Sequence, residues 1–285
     1  MATPTDLSSL IPIELMAQLA AQSGAAHGPY KPKTLPDTFA LDNQLNQQIM
    51  AESHGTSRPA PAAVTNDVNG MLAEFHDKTD ALVPNARYKG GDAHVYISPD
   101  PTINMASLTH YDSADGKTLT ESAYAITISA GTLNPPDPKL RLTHDELKAL
   151  VAHEYAHNLI QLNPELLDDK RFQPHGKQFE KELNALEDRL DRSNLTNEQK
   201  QQKVDDFYKE AVADNIALRL TKDVGAAQRA QDKSDKSFDE ATHGRPVPGV
   251  EDVPSPAART ENRQIAAHEM EAAAKRPVQK QGQSH

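Results

Sequence analysis

Apolar residues recur at helical spacing in some stretches of the chain and alternate in others. The run "NDVNGMLAEFHDKTDALV" places Val68, Met71, Leu72, Phe75 and Leu82 on one helical face. "AHVYIS" alternates as a half-buried strand does, "TINMASL" is a second strand candidate, and "AYAITIS" is rich in β-branched residues. The pattern predicts a helix followed by a small sheet, which is an α+β arrangement.

The stretch "THDELKALVAHEYAHNLIQLNP" predicts a helix that is largely buried. Thr143 with Glu146 three residues later is a capping-box pattern, which marks the start of a helix. Apolar residues then lie on most sides of the helix, and these are Leu147, Leu150, Val151, Leu159 and Ile160.

Two histidines and a glutamate interrupt this apolar helix. His153 and His157 are four residues apart, so a helix brings both imidazoles to one face, one turn apart, where both can reach one ion. Glu154 lies about 100° round the helix from His153, next to any water held by that ion. The pattern is the H-E-x-x-H arrangement of zinc peptidases. It predicts His153 and His157 as metal ligands and Glu154 as the catalytic residue.

A second helix carries two carboxylates on its apolar side. In "DDFYKEAVADNIALRL" one helical stripe comprises Phe207, Glu210, Ala211, Asp214, Ala217 and Leu218. A buried carboxylate is unfavourable unless it meets a counter-charge or strong donors. A zinc ion would satisfy Glu210, as the third protein ligand. The N–H of a ligand histidine would satisfy Asp214, the usual carboxylate support of a metal-bound imidazole.

Each of these features also has a purely structural explanation. The first helix can be a buried helix with two satisfied histidines. The second can be an exposed helix in which Glu210 pairs with Lys209 or Arg219. The combination of both patterns in one chain favours the metal site.

Composition narrows the class of function. The 285 residues contain no cysteine, so disulfides and thiolate metal sites are excluded, and any metal must be held by His, Asp or Glu. The net charge of -11 argues against a nucleic-acid partner, because phosphate contacts need clustered Lys and Arg. We expect no membrane span and no secretory signal peptide, hence a cytoplasmic protein or one exported by a signal-independent route.

Both ends of the chain are polar and rich in proline. Residues 1–65 are expected to form an N-terminal arm with short helices and the linker "SHGTSRPAPAAV". Residues 66–225 are expected to form the domain that carries the site. Residues 226–285 are expected to be a polar, Pro-rich, largely disordered tail with a short Ala/Glu helix.

The segments "DELKALVAHEYAHN" and "YKEAVADNIAL" resemble the HtpX and CAAX-prenyl-endopeptidase type of gluzincin metallopeptidase, which combine H-E-x-x-H with a later E-x-x-A-D. The resemblance covers roughly residues 66–225. It implies a zincin-like domain in which a small mixed sheet packs on the H-E-x-x-H helix and on a second ligand-bearing helix, between flexible arms. It also implies that Glu210 is the third zinc ligand and that Asp214 supports a ligand histidine.

The resemblance further implies an edge strand over residues 104–107 that pairs with extended substrate through main-chain hydrogen bonds, which makes Asn104 and Ala106 candidate substrate contacts. Such enzymes often have a downstream His or Arg near the reacting carbonyl, for which His243 and Arg263 are candidates. Tyr208 is a further candidate for the oxyanion contact. Many relatives are embedded in membranes, and this chain has no apparent span, so their membrane substrates are not carried over.

These features predict a zinc endopeptidase with one Zn²⁺ per chain, acting on a protein or peptide substrate, with Glu154 as general base. Two alternatives stay open. One is a non-catalytic interaction module in which the metal is structural or regulatory. The other is a secreted bacterial effector or toxin built on the same protease core.

Overall fold

The computed structural model describes residues 58–86, 93–99, 105–112, 121–242 and 252–275. Within these ranges four strands and seven α-helices follow one another along the chain. The strands are β1 (Arg58–Pro59), β2 (His94–Ser98), β3 (Met105–Asp112) and β4 (Glu121–Ser129). The helices are α1 (Ala62–Leu82), α2 (Ala130–Leu133), α3 (His144–Leu162), α4 (Lys177–Asp191), α5 (Asn197–Thr221), α6 (Val224–Thr242) and α7 (Pro256–Ala274).

The sheet is mixed and has the order β1-β2-β4-β3. β2 and β4 are parallel, whereas β1 and β3 pair antiparallel with β2 and β4 respectively. β3 therefore lies at one edge of the sheet among the described strands, and it also lies beside α3. The predicted α+β class is confirmed.

Helix α3 is the centre of the main core. Its apolar residues Val151, Ala152, Tyr155 and Leu159 are fully buried, and they pack with residues of α1, α5 and the sheet. The buried hydroxyl of Tyr155 lies 2.9 Å from Thr79 Oγ1 of α1, which ties these two helices together. The predicted apolar face of α1 is likewise buried at Val68, Met71, Leu72 and Phe75.

The start of α3 is fixed by the predicted capping box. The Thr143 N–H donates to Glu146 Oε2 at 2.8 Å, and the Glu146 N–H donates to Thr143 Oγ1 at 3.3 Å. Glu146 also accepts from Arg229 Nε at 3.1 Å and from Lys233 Nζ at 2.7 Å, both on α6. The N-terminus of the histidine-bearing helix is thus held both by its own turn and by a later helix.

Helix α5 lies against α3, and its predicted stripe faces the protein interior. Phe207, Ala211, Asp214 and Leu218 are all buried. The helix ends at Thr221, because Lys222 adopts a left-handed conformation with φ of 58° that closes the last turn.

The expectation of a largely disordered tail from residue 226 is wrong for the described part of that segment. α6 and α7 are helices of 19 residues each. α7 packs against α4, α5 and α6, and Ala258, Asn262 and Arg263 are buried there. A polar helix can be buried in this way because its polar side chains find partners on the neighbouring helices.

The boundary of the N-terminal arm also differs from the expectation. Residues 1–57 lie outside the described part of the chain, but Arg58–Pro59 pairs with β2, and α1 already begins at Ala62. The end of the Pro/Ala/Ser linker therefore belongs to the folded domain. Within the described ranges, no helix combines the length and apolar character required to cross a membrane.

Candidate metal centre

The structure brings His153, His157 and Glu210 together at the contact between α3 and α5. The Nε2 atoms of the two histidines lie 3.0 Å apart, and their rings meet edge to face with centroids 4.6 Å apart. Glu210 Oε2 lies 3.2 Å from His153 Nε2, and Glu210 Oε1 lies 3.2 Å from His157 Nε2. Two imidazole nitrogens and one carboxylate therefore face a common point.

These separations match the spacing of ligands around one small cation. Ligand atoms about 2.1 Å from a tetrahedral ion lie about 3.4 Å from each other. The observed separations of 3.0 and 3.2 Å are close to this value, and one ligand atom from each residue lies within 4.8 Å of the others. The group could hold a metal ion, and two imidazoles with one carboxylate form a donor set that Zn²⁺ accepts.

The charges around His153 and Glu210 indicate that a bound ion would replace a proton. Burial lowers the pKa of His153, but the neighbouring carboxylates of Asp214 and Glu210 outweigh burial and raise it to about 9. Burial raises the pKa of Glu210, but His157 and His153 outweigh it and hold that pKa well below its usual value. A proton on His153 therefore compensates the carboxylates, and a bound cation would take the place of that proton.

Asp214 supports His153 from the other side of the ring. Its Oδ1 lies 3.0 Å from His153 Nδ1, a contact close enough for an ion pair although the N–H is not well aligned with the oxygen. A carboxylate at Nδ1 favours a proton on that nitrogen, so a cation that replaced the proton on Nε2 would meet the Nε2 lone pair on the side of Glu210 and His157. Asp214 therefore lies beside His153 as predicted, and its support of a metal-bound imidazole stays a prediction.

The buried carboxylate of Asp214 is compensated by two arginines of α7. Asp214 is 3% exposed. Burial raises its pKa, but the positive charges of Arg259 and Arg263, with hydrogen bonds from Arg259 and His153, hold the pKa well below its usual value. Asp214 is therefore ionised, as a partner of a metal-bound imidazole should be.

Glu154 follows His153 on α3 and is partly exposed. Since successive helical residues are rotated by about 100°, its side chain borders the face that carries the two histidines without sharing it. This position leaves Glu154 next to the ligand group rather than inside it.

The remaining predicted residues differ in how far the structure describes them. Ala106 lies on β3, where it pairs with Thr127 of β4. Asn104 and His243 lie outside the described residues. Tyr208 packs its ring against Phe179 at 6.1 Å, and its pKa is raised by burial and by the negative charge of Asp168. It lies about 200° round α5 from Glu210, which does not favour an oxyanion contact.

Arg263 does not lie where a residue that contacts a reacting carbonyl should lie. Its Nη2 donates to Asp214 Oδ1 at 2.9 Å, and the residue is 3% exposed. It therefore stands behind His153, on the side of the ring away from His157 and Glu210, which does not favour a substrate contact.

Sequence reasoning missed Arg259, which donates twice to Asp214. The signal that could have found it is the spacing within "PAARTENRQIAA", where small or polar residues Ala258, Asn262 and Ala266 recur every fourth position with the arginines beside them.

Comparison of the chain with models of known protein families, with curated proteins and with solved structures gave no match.

Proposed function

We propose that this protein is a zinc-dependent endopeptidase, with His153, His157 and Glu210 as zinc ligands. The observation that carries the proposal is the triangle of two Nε2 atoms from α3 and a carboxylate from α5, with separations of 3.0 and 3.2 Å. Glu154 lies on α3 directly after the first of the two histidines. The H-E-x-x-H and E-x-x-A-D motifs of the HtpX type of gluzincin support the same assignment.

The number of protein ligands favours a catalytic site. Three ligands leave one coordination position of a tetrahedral ion open, whereas structural zinc sites use four protein ligands. When bound, zinc supplies a Lewis acid that polarises the scissile carbonyl and makes water acidic enough to lose a proton near neutral pH.

Glu154 is the group of this chain that moves protons. Its carboxylate borders the ligand face, where it accepts a proton from the attacking water and then delivers it to the amine of the departing product. A structural metal site has no use for such a residue, so Glu154 distinguishes the enzyme from a non-catalytic module.

β3 is the element best placed to hold an extended peptide. It is an edge strand of the described sheet, and it lies beside the histidine-bearing helix α3. An edge strand offers unpaired main-chain N–H and C=O groups that can bind a peptide as an added strand. The substrate class is therefore an unfolded protein segment or a peptide that can adopt an extended conformation.

The test combines metal analysis with proteolysis of casein by wild type, Glu154→Gln and Glu187→Gln. Glu187 lies exposed on α4, so its variant controls for loss of one helical carboxylate. We expect one zinc ion per chain in all three proteins, and a loss of activity of at least about 100-fold in Glu154→Gln alone.

Each other result has a defined meaning. Wild type without bound zinc overturns the metal site. Wild type with zinc but without hydrolysis favours a non-catalytic metal module. Full activity of Glu154→Gln overturns the assignment of Glu154 as the general base.

A further inference from the structure

The C-terminal helix α7 contributes directly to the support of the candidate metal centre. Arg259 Nε donates to Asp214 Oδ2 at 2.8 Å, and Arg259 Nη2 donates to Asp214 Oδ1 at 2.8 Å. Arg263 Nη2, one turn later on the same helix, donates to Asp214 Oδ1 at 2.9 Å. The oxygen that faces His153 is thus bonded by both arginines.

α7 is itself held firmly against α5 and the segment before α4. Asn262 accepts from the His175 N–H at 3.0 Å and from Asn215 Nδ2 at 3.2 Å, and its Nδ2 donates to the Ala211 carbonyl at 3.2 Å. Ala211 and Asn215 flank Asp214 on α5. The register between α7 and α5 is therefore fixed at the turn that carries Asp214.

A second contact fixes α7 against α4. Glu261 Oε2 accepts from the Gln178 N–H at 2.8 Å, in the first turn of α4. The close approach needs Gly176, whose φ is 131° and where an added Cβ would lie 2.7 Å from Glu261 Oε2. Both faces of α7 beside Arg259 and Arg263 are therefore anchored.

We infer that Arg259 and Arg263 are positioning residues of the metal centre, which act on the ligand His153 through Asp214. This inference rests on the metal site of the proposed function. The arginines orient the Asp214 carboxylate toward Nδ1 of His153, and that contact orients the Nε2 lone pair toward the ion.

The choice of arginine rather than lysine follows from the geometry. Arg259 contacts both oxygens of Asp214 at once, which fixes the plane of the carboxylate as well as its place. A lysine at the same position carries the charge but has a single ammonium that does not define that plane. Arg259→Lys therefore separates orientation from charge.

The test measures zinc affinity of the full chain by competition with a chromophoric chelator, for wild type, Arg259→Gln, Arg259→Lys and Arg263→Gln. We expect zinc affinity to fall about 10-fold in each glutamine variant, which is a typical loss when a residue that supports a metal ligand is replaced. We expect a smaller loss in Arg259→Lys. Arg229→Gln is the matched control, because Arg229 also pairs with a buried carboxylate, Glu146, but not with Asp214.

A double-mutant cycle distinguishes positioning from a general effect on folding. If Arg259 acts through Asp214, then Arg259→Gln introduced into Asp214→Asn causes no further loss of zinc affinity. Additive losses, or an equal loss in Arg229→Gln, overturn the inference. Circular dichroism of each protein in the presence of EDTA shows whether the metal-free variant is folded. If Arg259→Gln is not folded, the comparison of Arg259→Lys with wild type replaces it in the test.

Failure of this inference is distinguishable from failure of the proposed function. Wild type that binds no zinc overturns the metal centre itself. Wild type that binds zinc, with unchanged affinity in Arg259→Gln and Arg263→Gln, overturns only the role of α7.

Discussion

At the scale of single residues, the site depends on carboxylates placed where a helix is otherwise buried. Glu210 and Asp214 lie on the same stripe of α5 as Phe207 and Ala211, and this pattern predicts that each carboxylate has a charged or strongly donating partner. Each carboxylate has a cationic or protonated partner in the structure, as the cost of burying an unpaired charge requires. The sequence of α5 could indicate that partners exist, but nothing in α5 itself identifies the two arginines, because they lie on a later helix.

Glu210→Ala should weaken zinc binding without unfolding the protein. The variant removes one of three proposed ligands, so we expect zinc affinity to fall at least roughly 10-fold. A loss of this size is already typical when only a residue that supports a metal ligand is replaced. Chelator competition measures the loss, and Glu187→Gln, at an exposed position of α4, is the control. Unchanged affinity would show that Glu210 is not a ligand.

At the scale of elements, α3 was the most predictable part of the fold and α7 the least. The capping box and the apolar positions of α3 both point to one buried helix, and the structure confirms it from His144 to Leu162. α7 has a polar sequence after a Pro-rich segment, so composition favoured disorder. Its burial depends on small residues such as Ala258 and on long-range hydrogen bonds of Asn262 and Arg259, so no stripe of large apolar residues marks this helix in the sequence.

The N-terminus of α3 should make the protein acid-sensitive through Glu146. Burial raises the pKa of Glu146, but hydrogen bonds from Lys233, Thr143 and Arg229 outweigh it and lower the pKa. A pKa lower in the folded state stabilises the fold above the unfolded value of about 4.3, and this stability is lost as the pH falls through the folded value.

Glu146→Gln tests this, because glutamine keeps the capping-box acceptor but not the charge. We expect a lower free energy of unfolding at pH 7 by roughly 1–3 kcal/mol, from urea titrations, and a difference that shrinks below about pH 4. Asp145→Asn, exposed in the same turn, is the control and should change stability little. A difference that persists at low pH would contradict the assigned role of the charge.

If a peptide substrate binds to β3 as an added strand, the cleavage rate should depend periodically on which backbone nitrogens of the peptide are modified. In antiparallel or parallel pairing, alternate residues of an added strand direct their N–H groups to the edge strand. N-methylation of successive peptide nitrogens in a cleaved peptide should therefore reduce kcat/KM about fivefold at alternate positions and little between them. A uniform or absent response, measured against the unmodified peptide, would exclude strand addition as the mode of binding.

At the scale of the whole molecule, the candidate site lies on a helix that belongs to two apolar clusters. Val212 and Ile216 of α5 pack in the main core with α3, α1 and the sheet, whereas Phe207 and Ala211 of α5 pack with residues of α4 and α7 in a second cluster. The candidate ligands His153 and Glu210 come from α3 and α5, so an ion bound between them would fasten α5 to the main core. Metal binding and folding stability should therefore be linked in this protein.

Zinc should raise the midpoint of thermal unfolding, and the ligand variants should lose this effect. A ligand that binds only the folded state at about 100 times its Kd adds about 2.7 kcal/mol of stability, which corresponds to roughly 5–10 °C for a chain of this size. We expect this rise in wild type and in Glu154→Gln, and its loss in Glu210→Ala or with EDTA, in calorimetric scans at matched protein concentration. Because Glu154 borders the ligand face without belonging to it, loss of the rise in Glu154→Gln would place that residue among the ligands and contradict its assignment as the base.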